Sequence, residues 1–323
     1  MNPREEILRI LTAHRGETVT GNDLGDALGI SRSAVWRHVK VLRAKGYQIY
    51  SRTNSGYCLE GKQDILSAAD IIPKLSGSLG RDIDIYKTID STNTFAKSLA
   101  VLGAKHGKTI IADSQGIGRG QTGHDFYSPA GSSIYMSVII RPKFLAEDTM
   151  LITTATAVAV TDAISEVCGI NTGIKWVNDI YTKGTSRKLC GILAEASFGM
   201  ETSQIEYTVI GIGVNVNNTS FPTELKNTAT SLYLETGRFF DRNLLIAKIL
   251  DALDRRIAQI PSAAFLEEYR RLSILIGKKV NVTHGNRTFT AKVLEIDSLG
   301  RLVVKPENAP VSVLSSGSVA LIG

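Results

Sequence analysis

The stretch GIGRGQTGHDF, residues 116–126, packs four glycines, an arginine, a histidine and an aspartate into eleven positions. Glycine tolerates unusual φ/ψ, so such a loop can bring many backbone N–H groups close to an anion, with Arg119 at its centre. A formal G-x-G-x-x-G match runs through Gly118, Gly120 and Gly123. A dinucleotide fingerprint must leave a strand and open a helix, but here HDFYSPAGSS follows, with Pro129, Gly131 and no helical period, so that reading fails. GAKHGKT, Gly103 to Thr109, fails as a Walker loop: three residues separate its glycines where four are needed, and it precedes a strand. What remains is a cradle for a phosphate or carboxylate, or an ordinary surface loop.

Three further stretches carry chemistry. Ser91-Thr92-Asn93 reads as the cap of a helix bearing Phe95, Leu99 and Leu102, which brings hydroxyls and free N–H groups to a positive helix end; alone it is an ordinary N-cap. KWVND, Lys175 to Asp179, closes a strand with an acid beside an amide, a pair suited to Mg²⁺ and an adenine ribose. RKLCGIL carries Lys188 and Gly191 into a buried strand, where a lysine without an anionic partner is costly.

The elements that must position these residues alternate between strand-like and helix-like runs from residue 63 onward: TIIADSQ, SSIYMSVIIRP, the helix around DTMLITTATAVAVTDAISEV, KLCGILAEAS and IEYTVIGIGVNVN. Several are hairpin-spaced, so the expected class is α+β, with a mixed sheet and flanking helices. Two helices follow, and then KKVNVTHGNRTFTAKVLEIDSLGRLVVKP turns at His284-Gly285-Asn286 and Ser298-Leu299-Gly300, predicting a small β-barrel. Its role is docking of a nucleotide or acceptor, or stabilisation alone.

The 323 residues are 43% hydrophobic and 21% charged, a globular composition long enough for two or three domains. No apolar run suggests a membrane span, and MNPREEILRI is acidic where a signal peptide is basic, so a cytoplasmic protein with no membrane partner is expected. Cys58, Cys168 and Cys190 show no C-x-x-C spacing and read as packing residues. The net charge of +6 is unevenly placed: residues 1–62 hold ten Lys/Arg against six Asp/Glu, a net +4, and the other 261 supply +2. A basic amino-terminal unit points to a polyanion.

That unit reads as a winged helix-turn-helix. Ile7, Leu8, Ile10 and Leu11 stripe a first helix; Thr20 opens a second through T-x-x-D; Gly29-Ile30 turns; Ser31 caps a third with Val35, Val39 and Leu42 inward. The opposite face shows Ser33, Trp36, Arg37, Lys40 and Ala44, and YQIYSRTNSGYCL supplies a wing with Arg52 near its tip. The candidate DNA contacts are Ser31, Arg32, Ser33, Trp36, Arg37, Lys40 and Arg52, to phosphate or to base edges.

The succession DSTN (90–93), Q-x-x-G-R-G (115–120), KW-x-ND (175–179), RKL-x-GIL-x-E (187–195) and GIG-x-N-x-N (211–217) resembles biotin protein ligases, and the helix-turn-helix makes the chain similar to their bifunctional, operon-repressing kind. The resemblance implies a winged helix-turn-helix over 1–62, a class II aminoacyl-tRNA synthetase-like biotin/ATP domain over 63–273 and an SH3-like β-barrel over 274–323. It implies biotin contacts from Ser91, Thr92, Asn93, Gln115, Gly118, Arg119, Gly120, Gln121, Lys188 and Gly191, and ATP contacts from Gln121, His124, Phe126, Asn178, Asp179 and Asn215. Arg119, Lys188 and Asp179 would be catalytic, with Asp179 holding Mg²⁺.

The implied reaction joins biotin to ATP as biotinyl-5′-AMP, with pyrophosphate released, and then passes biotin to a lysine of a biotin carboxyl carrier protein. The implied partners include a palindromic operator and, with biotinyl-AMP bound, a second copy of the chain in a homodimer. Two departures stand out: the family's loop reads G-R-G-R-x-G-R-x-W, where this chain has Gln121, His124 and Phe126, and Val177 replaces the proline of K-W-P-N-D. Gln121 lacks the arginine fork for phosphate, which predicts looser retention of the adenylate. The rivals are a lipoate or octanoate ligase and a ligand-sensing repressor without catalysis.

Overall fold

The computed structural model describes residues 2–44, 47, 49–52, 56–59, 64–118, 126–141, 144–145, 148–199, 204–285 and 287–322. Contacts divide the chain into two compact units, Met1–Lys74 with Asp241–Leu244, and Leu75–Phe240 with Leu245–Gly323.

In the first unit, helix α1 (Pro3–Ala13), strand β1 (Thr18–Val19) and helices α2 (Gly21–Leu28) and α3 (Arg32–Ala44) are followed by β2 (Ile49–Arg52) and β3 (Gly56–Leu59). Each helix start has a local cause. Asn2 caps α1 ahead of Pro3, Thr20 Oγ1 accepts from Asp23 N at 3.1 Å, and Ser31 Oγ accepts from Ala34 N at 3.3 Å. Gly29 takes the left-handed conformation (φ 65°) that ends α2, and a Cβ on Gly25 would lie 2.7 Å from Ile30 O, so the turn between α2 and α3 needs a glycine there. Ile7, Leu11, Leu24, Val35 and Val39 form a fully buried core, each contributing about 1.5–3 kcal/mol. The strands pair antiparallel in the order β1-β3-β2.

Residues 60–72 read as linker in the sequence, yet their described part holds helix α4 (Ala68–Ile71). The physical reason is a buried charge. Arg242 is 1% exposed and its Nε donates to Asp64 Oδ1 at 2.8 Å, and Asn243 Oδ1 accepts from Ser67 N at 3.0 Å. A buried guanidinium requires its counter-ion, and that requirement orders the segment.

The second unit begins with β4 (Ile83–Ile89), α5 (Thr92–Val101), β5 (Thr109–Gln115), β6 (Ser133–Ile140) and α6 (Thr149–Cys168). There follow β7 (Thr172–Lys175), β8 (Asp179–Thr182), β9 (Lys188–Phe198), β10 (Ile205–Asn215), α7 (Leu232–Thr236), α8 (Arg242–Ile257, whose residues 242–244 belong to the first unit) and α9 (Phe265–Leu272). The seven strands order as β4-β5-β6-β10-β9-β8-β7. Among the described residues β4 and β5 pair parallel and the other neighbours of this sheet antiparallel, so the sheet is mixed, as the hairpin spacing predicts. KWVND does not close a strand: β7 ends at Lys175 and Asp179 opens β8. Helix α6 is long and apolar enough to cross a membrane by composition, which the sequence reading did not anticipate, but 78% of its apolar window is buried inside the protein.

The last strands, β11 (Lys279–His284), β12 (Arg287–Ile296), β13 (Leu302–Pro306), β14 (Ser312–Leu314) and β15 (Ser318–Leu321), form one antiparallel sheet in the order β14-β13-β12-β11-β15. Its edge strands β14 and β15 are not paired with each other among the described residues. An open concavity of about 370 Å³ on this sheet is lined by Lys279, Lys292, Lys305 and Glu307 and shares no residue with the motifs.

Candidate ligand site and nucleic-acid interface

Ser91 caps α5, and Ser91, Thr92 and Asn93 are each 4% exposed. Leu102, read as part of this helix, is its C-cap residue and is 82% exposed. Gln115, at the end of β5, reaches across: its Oε1 accepts from Thr92 N at 2.9 Å, and its Nε2 donates to Ser128 Oγ at 3.2 Å. Ser128 Oγ donates to Phe126 O at 2.7 Å, and Phe126 N donates to Gly118 O at 2.8 Å. These bonds close the neck of the glycine loop. A Cβ on Gly118 would meet Phe126 O at 2.2 Å, so the neck requires glycine there. Arg119, Gly120, Gln121 and His124 lie outside the described residues.

Asn93 points into the framework. Its Nδ2 donates to Leu193 O at 3.1 Å and to Glu195 Oε2 at 2.9 Å, and its Oδ1 accepts from Ser137 Oγ at 2.6 Å. Lys97 completes the cluster by pairing with Glu195 at 2.7 Å. The signal that could have found Ser137 is a serine inside SIYMSVII, a strand buried at every position, because a buried hydroxyl needs a partner. Gly211 belongs to the same arrangement: a Cβ there would lie 2.1 Å from Asn93 Oδ1.

Lys188 supplies the charge. Its Nζ lies 2.7 Å from Asp179 Oδ1, with side chains 34% and 21% exposed, so the anionic partner expected for this lysine is Asp179. Beside it, Gly191 of β9 pairs with Gly213 of β10. The Phe126 ring rests on this flat glycine floor: Cβ atoms would stand 3.3 Å from the ring at Gly191 and 2.8 Å at Gly213, and Lys188 Cε would be 3.3 Å from the former. Burial lowers the Lys175 ammonium from its ordinary value, and the like charge of Lys188 adds to this while Asp179 opposes it. Tyr181 is pushed up to about 12 by burial and by Asp179.

Asn178 donates through Nδ2 to Ile192 O, and Asn215, 5% exposed, donates to Thr230 O at 3.0 Å. The turn between β7 and β8 is fixed from behind, by Trp176 Nε1 donating to Gly300 O at 3.0 Å and by Tyr269 OH donating to Val177 O at 2.9 Å. Among the described residues no group of three His, Cys, Asp or Glu could cage a metal. One carboxylate, Asp179, fits Mg²⁺ of the kind carried on nucleotide phosphates, which typically takes only one or two protein carboxylates. All three cysteines are buried and free, as packing residues should be, and burial raises the Cys190 thiol.

In the first unit, Ser31, Arg32, Ser33, Trp36, Arg37 and Lys40 are all exposed on or beside α3. Ser31 and Ser33 hydroxyls lie 2.9 Å apart, and Lys40 Nζ stands 5.5 Å from the Trp36 ring centroid. Arg43 Nε donates to Ile49 O, tying α3 to the wing strand β2. The Arg52 and Ala44 side chains lie outside the described residues.

Residues 3–58 match the HTH domain family and residues 85–215 the biotin/lipoate A/B protein ligase family. The chain is 34% identical to the bifunctional ligase/repressor BirA of Bacillus spizizenii, over 97% of each chain. It is 28% identical to BirA of Escherichia coli over 90% of this chain and 89% of that one. The biotin protein ligase of Aquifex aeolicus, solved with biotin and ATP, superposes with a TM-score of 0.64 at 25% identity, over 75% of this chain and 99% of that one. With those motifs in order along one sheet, a helix-turn-helix ahead of them and relatives matched from end to end, the chain belongs to the bifunctional ligase/repressor family of biotin protein ligases.

Proposed function

We propose that this chain is an ATP-dependent biotin protein ligase and a biotin-operon repressor with biotinyl-5′-AMP as corepressor. The observation that carries the ligase reading is Lys188, whose ammonium is held beside Asp179 against the glycine floor under Phe126. A biotin carboxylate oxygen attacks the α-phosphorus of ATP, the bond to pyrophosphate breaks, and biotinyl-AMP forms. Two anions must meet, and Lys188, with Arg119 from the glycine loop, offsets their repulsion; such preorganised donors contribute about 3–4 kcal/mol each. A carrier lysine amine then attacks the acyl carbon and AMP leaves.

Thr92 and Gln115 bind the ureido ring, and Gln115 keeps one amide hydrogen uncommitted among the described residues for it. Asn93, with both amide ends used inside the framework, positions Ser91 and Thr92 instead of touching biotin. Asn178, Asp179 and Asn215 serve the nucleotide. Mg²⁺, when bound with it, supplies further neutralisation of phosphate charge, and Asp179 is the residue that would hold it. Phe126 moves from the glycine floor to stack on adenine.

The chain divides functionally at 1–62, 63–273 and 274–323, works in the cytoplasm, and pairs as a homodimer when biotinyl-AMP is bound, so that two copies of α3 read a palindromic operator. The test is transfer of biotin from ATP and free biotin to a carrier domain by purified protein, with lipoic and octanoic acids in parallel. Labelling with biotin alone is expected. Labelling with lipoate or octanoate and none with biotin overturns the reading, as does an unlabelled carrier.

A further inference from the structure

Trp36 is the one aromatic side chain among the exposed residues of α3, and 52% of it is exposed. The other tryptophan, Trp176, is 4% exposed and donates its indole N–H to a carbonyl. Tryptophan is strongly buried on average, so an indole left in water at the reading face of a helix-turn-helix calls for a partner. Its direction is fixed from within: Val35 and Val39, on either side of it in sequence, are fully buried and lock the rotation of α3 against the core. Lys40, one turn later, places Nζ 5.5 Å from the ring centroid, a cation–π contact that steadies the indole.

Trp36 is the fifth residue of α3, within the amino-terminal part of a recognition helix that meets base edges. An indole carries a single N–H donor and otherwise flat apolar faces. The apolar group displayed in the major groove is the C5-methyl of thymine. We infer that Trp36 is a sequence-reading residue that packs on thymine methyl groups, while its charged neighbours Arg37 and Lys40 hold the helix to the duplex. This rests on the DNA-binding reading proposed above and adds to it the base that is read.

The full-length protein with biotin and ATP is used to enrich binders from a pool of random DNA duplexes. The enriched duplex is then remade with deoxyuridine in place of thymine, one position at a time, which removes the methyl and keeps every hydrogen-bonding group. Wild-type protein is expected to bind about fourfold more weakly for each contacted methyl removed, the equivalent of burying one methylene. Trp36→Ala is expected to bind the thymine duplex more weakly and to ignore the replacement, with the salt dependence of binding unchanged because no charge is lost. Trp36→Phe, which keeps a flat ring, retains part of the discrimination; both variants leave the melting temperature unchanged, since the side chain is outside the core.

A wild type indifferent to deoxyuridine at every position overturns the inference and leaves DNA binding intact. So does Trp36→Ala that binds as tightly as wild type or still discriminates at the same positions. Failure of any duplex to be enriched removes the DNA-binding reading and the inference with it.

Discussion

Around the first turn of α5, hydrogen bonds tie Thr92, Asn93, Gln115, Ser128, Ser137 and Glu195 into one network, whereas on α3 Ser33, Trp36, Arg37 and Lys40 stand in solvent. No ion pair engages Arg32, Arg37 or Lys40 among the described residues, while Lys97 and Lys188 on the sheet side each hold a carboxylate at 2.7 Å. The difference follows from what each surface meets. A small neutral ring and a reacting carboxylate demand atoms fixed to fractions of an ångström, and fixing them requires a satisfied second layer. A duplex carries its charges in a regular array, and long solvated side chains adapt to it upon contact.

The largest effect expected from this contrast is at Lys188. Lys188→Met removes the cation and leaves Asp179 without its partner, so a rate loss of about 10²–10³-fold is expected, the cost of one preorganised donor. Exchange of labelled pyrophosphate into ATP, dependent on biotin, measures it directly. A variant within about threefold of wild type would mean that the fixed charge on the sheet is dispensable, and the contrast between the two surfaces would lose its chemical basis.

Next come two glycines on one face of β10, Gly211 against the hydrogen-bonded framework and Gly213 under Phe126. Gly211→Ala places a methyl 2.1 Å from Asn93 Oδ1, an atom already bonded to Ser137, and the cluster cannot yield without breaking that bond. A loss of about 1–3 kcal/mol in unfolding free energy is expected. Gly213→Ala meets the Phe126 ring first, at 2.8 Å, and a ring on the neck of a loop can shift. Its stability should stay within about 0.5 kcal/mol of wild type while the KM for biotin or ATP rises. Denaturant unfolding beside steady-state kinetics distinguishes the two, and equal destabilisation would erase the distinction.

Much of this was legible because local rules act over short spans. Thr20 and Ser31 were readable as caps, Gly29 as a turn, and Lys188 as a lysine in need of an acid. The identity of that acid was not readable, since Asp179 reaches Lys188 only through the pairing of β8 with β9. Asn93 looked like a ligand contact within the cap motif, and its commitment to Leu193 and Glu195 depends on a single strand, β9, where they lie 100 and 102 residues away. The segment 64–72 looked like linker because its partners Arg242 and Asn243 lie 176–178 residues along the chain. Trp176 and Gly300 are likewise 124 residues apart.

On the α3 side the expected effects are smaller and electrostatic. Arg37→Ala should weaken duplex binding and lower the slope of log affinity against log salt by about 0.9, the release of one counter-ion, while unfolding free energy moves by less than about 0.5 kcal/mol. Titrations of the enriched duplex at four salt concentrations measure the slope. An unchanged slope with lowered affinity would transfer Arg37 from phosphate to a base edge.

The smallest effect lies behind the ligand face, where Asp297 organises the turn whose Gly300 carbonyl receives Trp176. Burial pushes the Asp297 carboxyl up, but hydrogen bonds from the Arg301 backbone and guanidinium and from Leu299 N outweigh it, so the group is held below the usual carboxylate range. A carboxylate whose folded-state pKa is depressed contributes stability above its unfolded pKa and loses it as pH falls through the folded value. Wild-type melting temperature should therefore decline more between neutral pH and the acid side of the carboxylate range than that of Asp297→Asn, which carries no titrating group. At neutral pH the variant is the less stable of the two, because Arg301 has lost its counter-charge, and the gap narrows as the pH falls. Parallel pH dependences for the two proteins would show that this turn is held by packing, and that the committed hydrogen bonds of the framework stop short of the carboxy-terminal sheet.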